Sequence, residues 1–280
     1  MYNYLECKPI FNKKNLIYQR NEKKGITTFI SKHHPELQAL EMNEQTNNIL
    51  NLCDGKKSIN EISNKIKSNY SNVTLEEVQE DITNIIFVLW RIGIVEWNGE
   101  HAFKNIYEKS IDNVKYKMLT EDEVIKLIRE IDKLDDRESK LFHTPYVTLD
   151  YILNISSARQ RVFHATEEYF RLDIDSKSIL TLALATPLDA RKSLTLTFYI
   201  ENEKIPESTN IDEFIKWCVD TYKKLTGIDF TRIDIQIAEN NYRSINKFIE
   251  RTSFKELGIM KDAIRIEDVF DVSVKAFDII

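Results

Sequence analysis

Two segments of the form Ser/Thr-x-x-Glu, Ser58-Ile-Asn-Glu61 and Thr74-Leu-Glu-Glu77, mark the starts of two helices before any other pattern is read. In such a segment the hydroxyl accepts from the backbone N–H three residues on. The carboxylate reaches back to the N–H of the hydroxyl-bearing residue, so two otherwise orphaned donors are satisfied together. Behind the first box Ile59, Ile62 and Ile66 recur on one face. Behind the second, Val78, Ile82, Ile85, Ile86 and Leu89 do so as far as Gly93. Asn43 caps an earlier helix that carries Ile49, Leu50 and Cys53 and stops at Asp54-Gly55. Upstream, three apolar alternations read as strands: Leu16–Tyr18, Ile26–Ile30 and Leu37–Met42, with Gly25 supplying a turn between the first two. A short strand, Ile94–Trp97, follows the helices.

A seam comes next. Asn98-Gly99-Glu100 and a polar stretch separate this pattern from a different one, so the spacing predicts a domain over 1–100, a linker over 101–115 and a second domain over 116–280. In the second part Thr120 caps one helix and Thr148 caps a long one running toward Phe170. Strands follow at Ile179–Ala185 and Leu194–Ile200, then a helix from Asn210 to Leu225 that Gly227 stops. A strand Thr231–Ala238, a helix Asn241–Thr252 and two strands, Glu256–Ile266 and Val269–Phe277, close the chain. The fold class read from this order is α+β with a mixed sheet.

Composition removes several functions. Lys and Arg number 39 against 45 Asp and Glu, a net charge of −6, which lacks the basic footprint of a nucleic-acid binder. No apolar run nears the roughly 18 residues that cross a bilayer, so no membrane partner is expected. Six glycines in 280 residues disfavour a glycine-rich phosphate loop. Cys7, Cys53 and Cys218 lie far apart without metal spacing, which fits reduced thiols in a cytoplasmic protein. His33-His34 precedes Pro35 in a loop and His164 sits on a helical pattern; no metal site is read from them.

The segment from Leu40 to Trp97, with Ile49-Leu-Asn-Leu-Cys-Asp-Gly55, Ile59-Asn-Glu-Ile62 and the helix around Asp81, resembles a PqqD-like RiPP recognition element. That family is a winged-helix-like module of three strands and three helices that binds the leader of a ribosomal peptide precursor. The resemblance, over roughly residues 10 to 97, implies that a leader adds as a strand beside Leu37, Gln38, Ala39, Leu40, Glu41 and Met42. Alternate side chains would enter a groove against Val78, Asp81, Ile82 and Ile85. The same apolar residues are also what the core of so small a domain needs.

From Tyr116 to Ile280 the chain resembles the GNAT acyltransferase superfamily, most clearly where Asn241-Tyr-Arg-Ser244 falls between a strand and the Phe254 strand. The resemblance implies a mixed-sheet α/β domain that uses acyl-CoA or acetyl-CoA. The cofactor would lie against the strand ending at Ile200, with its pyrophosphate at Ser208, Thr209 and Asn210 and with Asn241 close by. A backbone N–H near Ile200 would face the oxyanion as a deprotonated amine attacks the thioester. Three positions depart from the family: the loop Glu201–Asn210 has no glycine, Pro206 removes an N–H, and Phe248 stands where a tyrosine is common. Tyr199 and Tyr242 are the nearby phenols, and Glu201 and Glu239 the nearby carboxylates. No residue is assigned a catalytic role.

Together the resemblances imply a leader-guided tailoring protein of ribosomal peptide biosynthesis, in which the first domain binds the leader and the second acylates a peptide amine. The alternative is a non-catalytic peptide-binding chaperone or scaffold with a degenerate GNAT-like domain that serves another peptide-modifying enzyme.

Overall fold

The structure, a computed structural model, describes residues 3–35, 39–103, 107–186, 192–238, 242–265 and 269–279. Two compact units divide the chain, Met1–Asn105 and Ile106–Ile280.

The first unit holds β1 (Lys8–Phe11), β2 (Leu16–Asn21), β3 (Thr27–Ser31), β4 (Leu40–Met42), α1 (Glu44–Leu52), α2 (Ile59–Lys67), α3 (Leu75–Arg91) and β5 (Val95–Asn98). Both capping boxes form. The Glu61 carboxylate accepts from the Ser58 N–H at 2.8 Å, and Glu77 accepts from the Thr74 N–H at 2.7 Å. Asn43 caps α1 by accepting from the Thr46 N–H at 2.8 Å. Helix α3 stops at Gly93, whose φ of 72° only glycine adopts cheaply. A Cβ there would also lie 2.4 Å from the His33 ring. Phe29, Ile49, Leu50, Ile59, Ile62, Ile82, Ile86 and Leu89 form the core.

Strands β2, β3 and β4 make one antiparallel sheet in that order. The expected strand over Leu37–Met42 is observed as Leu40–Met42, with Ala39 just before it; Leu37 and Gln38 lie outside the described residues. Strand β1 was not anticipated. It pairs with β5 across most of the unit, Ile10 opposite Glu96. A proline at its second position is tolerated because this two-stranded ribbon leaves one side of each strand off the ladder.

The second unit is built on a nine-stranded mixed sheet. Its strands are β6 (Glu108–Ile111), β7 (Val114–Met118), β8 (Leu141–His143), β9 (Glu167–Ile174), β10 (Lys177–Ala185), β11 (Ser193–Glu201), β12 (Arg232–Ala238), β13 (Lys255–Arg265) and β14 (Val269–Asp278). The order is β13-β14-β12-β11-β10-β9-β7-β6, with β8 added beside β11; among the described residues only β11 and β12 run parallel. The helices are α4 (Glu121–Ile131), the single turn α5 (Arg137–Lys140), α6 (Leu149–Ile152), α7 (Ile155–Phe163), α8 (Ile211–Thr226) and α9 (Tyr242–Glu250). Val124, Ile128, Ile152, Ala158 and Val162 cover one sheet face at Tyr169, Ala183, Phe198 and Ile200. The alternate residues face the other way. There Phe170 meets Trp217 and Tyr222 of α8, and Tyr199 meets Phe248 of α9 with ring centroids 4.7 Å apart.

The stretch 101–115, read as a linker, contains β6 and the first residues of β7, joined by a tight turn with Asp112 at φ 51°. Its strand character is hidden in the sequence by charged side chains that pair across the hairpin, as Lys115 does with Glu108 at 2.9 Å. The long helix from Thr148 toward Phe170 is interrupted. Asn154 accepts from the Ser157 N–H at 2.9 Å and starts a new helix, and Glu167–Ile174 becomes a strand buried on both faces. Tertiary cover on both sides, not local propensity, decides that segment.

Cys7, Cys53 and Cys218 are buried. Among the described residues no helix is long and apolar enough to cross a membrane, and no group of side chains has metal-binding composition.

Candidate functional site

In the first unit, β4 is hydrogen-bonded to β3 on one side, with Phe29 opposite Leu40 and Thr27 opposite Met42. Its other edge has no strand partner among the described residues. Beside it runs a groove of about 380 Å³, lined by Leu40, Glu41, Met42, Asn84, Ile85 and Val88. Val88 is 56 % exposed, an unusual position for a large apolar side chain on a helix otherwise turned into the core. Farther along α3 is a second pocket of about 280 Å³.

The residues expected to contact a leader divide between the two. Leu40, Glu41, Met42 and Ile85 line the groove, while Val78, Asp81 and Ile82, again with Ile85, line the second pocket. Ala39 is exposed immediately before β4 and lines neither. Ile82 is 1 % exposed and belongs mainly to the core. Asn84 and Val88 also line the groove and were not expected there, whereas Leu89 lies on the apolar helix face that was. The signal for Val88 was its place one residue outside the buried face traced by Ile82, Ile86 and Leu89.

In the second unit, strand β11 carries the backbone that the sequence reading assigned to acyl-CoA. Its pairing with β12 covers only Ser193–Thr195 against Arg232–Asp234. Beyond that point the two strands part, and β8 takes the vacated edge: Phe198 opposite His143, Tyr199 opposite Phe142, Ile200 opposite Leu141. The Thr144 N–H donates to the Thr197 carbonyl at 2.8 Å. On the other edge β10 pairs from Leu180 opposite Glu201 to Ala185 opposite Thr195. Since Thr144 and Thr197 form a hydrogen-bonded pair, alternation turns the main-chain groups of Tyr199 toward β8 and those of Phe198 and Ile200 toward β10. The Ile200 N–H therefore points into the ladder with β10.

Thr197 is itself an extra residue. Ala183 pairs with Phe198 but Leu184 pairs with Leu196, so β11 bulges at Thr197. The bulge aims the Thr197 hydroxyl at Glu167, donating to Oε1 at 2.5 Å. Glu167 is 2 % exposed. It accepts also from Arg161 Nε at 2.6 Å and from the Tyr169 hydroxyl at 3.1 Å. Arg161 continues to the Ile152 carbonyl at 3.3 Å and lies over the Tyr151 ring at 4.9 Å. Burial, reinforced by the Glu167 carboxylate, pushes the Tyr169 phenol far above its usual range. This cluster ties α6, α7, β9 and β11 together.

Ser208, Thr209 and Asn210 line a pocket of about 440 Å³ at the start of α8, with Asn113, Asp175 and Glu213. Tyr116 also lines it, its phenol pushed up to about 12 by burial and then by Glu213. Much of the hydrogen bonding there is internal. Asn210 Oδ1 accepts from the Glu213 N–H at 3.2 Å, the Thr209 N–H donates to the Pro206 carbonyl at 3.0 Å, and Arg251 binds the carbonyls of Ile205 and Pro206 at 2.7 Å each. Ile200, 2 % exposed, is not among the lining residues. Tyr199 is fully buried, its hydroxyl on Glu201 at 3.2 Å, and burial raises its phenol as well. Asn241 and Glu239 lie outside the described residues, as does the side chain of Tyr242. Both edges of β11 are taken at Thr197–Ile200, and the helix start lies beside the carboxylates of Asp175 and Glu213, the latter paired with Lys109 at 3.3 Å.

Residues 33–95, ending at the first residue of β5, match the family model described as coenzyme PQQ synthesis protein D (PqqD). The first unit is PqqD-like. Over the second unit the chain is similar to solved acetyltransferases. The ribosomal-protein-S5-alanine acetyltransferase of Vibrio fischeri is 11 % identical over 61 % of this chain and 96 % of its own, with a TM-score of 0.43. A RimL ribosomal L7/L12 alpha-N-protein acetyltransferase in complex with coenzyme A is 16 % identical, covering 61 % and 97 %, with a TM-score of 0.41. RimJ of Mycobacterium smegmatis is 13 % identical, covering 59 % and 81 %, also with a TM-score of 0.41. No curated protein matches the chain significantly.

Proposed function

We propose that this chain captures the leader of a ribosomally made peptide precursor and serves the tailoring of that precursor as a non-catalytic holder. The PqqD-like unit takes the leader as a fourth strand of its β2-β3-β4 sheet, and the second unit docks the peptide or a peptide-modifying enzyme. The observation that carries the first half is the open edge of β4 running beside an apolar groove. An extended peptide there gains main-chain hydrogen bonds for affinity and buries alternate side chains for selectivity. The second half is supported by the strand β8, which occupies the edge of β11 that a thioester would have to reach.

Strand addition has a direct test. A peptide of about twelve residues, selected for binding to the full chain, is synthesised in two N-methylated forms, each blocking alternate amides. The form that blocks the amides facing β4 is expected to bind about tenfold or more weakly than the unmodified peptide, since each lost main-chain bond is worth about 1 kcal/mol. The other form should bind unchanged. Equal affinities for both would remove strand addition.

A second reading, leader-guided acylation of a peptide amine from acyl-CoA, is favoured by one observation, the pocket at Ser208–Asn210 beside a helix start. Calorimetry separates the two. The full chain is expected to give no binding heat with acetyl-CoA or a longer acyl-CoA at about millimolar ligand, an affinity no tighter than about 4 kcal/mol. Micromolar binding would sink the holder reading and restore the transferase.

A further inference from the structure

We infer that the pocket beyond the groove is a second subsite, built to take one lysine or arginine side chain of the bound leader. The inference rests on the leader-binding reading of the first unit. The pocket and the groove adjoin: Thr46 of α1 and Ile85 of α3 line both. A peptide paired with β4 advances roughly 3.3 Å per residue, so the residues that leave the strand on the Thr46 side pass over the pocket mouth.

The lining decides what enters. Ile49, Ile66, Val78, Ile82 and Ile85, drawn from three helices, form apolar walls and a floor. At the mouth the α2–α3 loop adds Tyr70, 42 % exposed, and Val73, 37 % exposed. The Tyr70 ring is held in place: its hydroxyl accepts from Gln45 Nε2 at 3.1 Å, and its carbonyl accepts from Lys67 Nζ at 2.9 Å. Of all the lining residues Asp81 alone is charged. It is exposed and makes no ion pair among the described residues. The adjacent Glu80 is exposed and does not line the pocket, and Glu77, one turn earlier on the same helix, is already tied to Thr74 in the capping box.

An open pocket with apolar walls, neutral amides and a hydroxyl (Asn43, Gln45, Thr46, Asn48 and Asn69) and one carboxylate matches a side chain with a long aliphatic stem and a cationic head. A leucine or phenylalanine would set an apolar tip beside the Asp81 carboxylate. An acidic residue would be repelled by it. Arginine or lysine satisfies both parts, arginine with the added option of a two-pronged bond.

The test uses a displayed library of random peptides about twelve residues long, panned against the full chain and against the variants Asp81→Asn and Asp81→Lys. Asp81 is exposed, so neither change threatens folding. Peptides selected by the wild-type chain should share a Lys or Arg at one fixed offset from the residues that enter the groove. Their affinity for Asp81→Asn should fall about three- to tenfold, the range expected of a partly shielded ion pair. Asp81→Lys should select Asp or Glu at that same offset. Strand-forming peptides with no basic position, bound equally by Asp81→Asn, would overturn the subsite and leave leader capture standing. A panning that yields no binder, or binders indifferent to N-methylation of their amides, would overturn leader capture and the subsite with it.

Discussion

Arg161→Met is expected to destabilise the second unit by about 3–5 kcal/mol, the largest single effect we anticipate in this protein. The substitution keeps most of the side-chain volume, so little of the loss comes from a cavity. What it removes is the partner of Glu167, which is 2 % exposed and bonded to Arg161 Nε at 2.6 Å. Desolvating a carboxylate is tolerable only with a counter-charge and full hydrogen bonding, and the remaining donors, Thr197 and Tyr169, are neutral. Glu167→Gln added to Arg161→Met should recover most of the loss, because a neutral amide needs no counter-charge. Chemical denaturation of the three proteins, followed by hydrogen exchange in β9 and β11, measures it. A loss below about 1 kcal/mol for Arg161→Met alone would mean that the cluster is held by packing and not by charge.

Val88→Glu should weaken leader binding by about 2 kcal/mol, roughly thirtyfold, while leaving the fold intact. Val88 is 56 % exposed, so the native chain already hydrates that position and a carboxylate there is harmless. In the bound state the same carboxylate would be sealed between α3 and the added strand and would lose its water without gaining a partner. Lys65→Ala, on an exposed position of α2, serves as the control and should bind as the wild type does. Titration of the leader against both variants gives the answer. Unchanged affinity for Val88→Glu would show that the peptide does not lie in the groove beside β4.

Much of the fold was legible because helix starts are encoded locally. The boxes at Ser58–Glu61 and Thr74–Glu77, the Asn43 cap and the stop at Gly227 all form as the residues suggest. Strands whose partners lie far along the chain were not legible. Lys8–Phe11 becomes a strand only because Val95–Asn98 lies beside it, and Leu141–His143 is too short to carry a period. Glu167–Ile174 alternates poorly because both its faces are buried, one of them through charged residues that are satisfied in the interior. The site followed the same division. The helix face with Ile85 could be read, whereas the second pocket, the exposure of Val88 and the closure of β11 by β8 arise from how elements meet.

The buried thiols have a consequence for how this chain meets oxidants. Cys7 and Cys53 are 6 % and 3 % exposed in the first unit, and Cys218 is inaccessible in the second. Burial pushes the Cys53 thiol up to about 12 and raises Cys218 further from neutrality, so neither offers the thiolate on which oxidation and disulfide exchange depend. While folded, each unit is shielded at these positions by its own interior. Their chemistry begins with opening, and the rate at which peroxide or a disulfide reagent consumes a given cysteine becomes a clock for the unit that contains it. One chain thus carries a separate chemical record of unfolding for each of its halves.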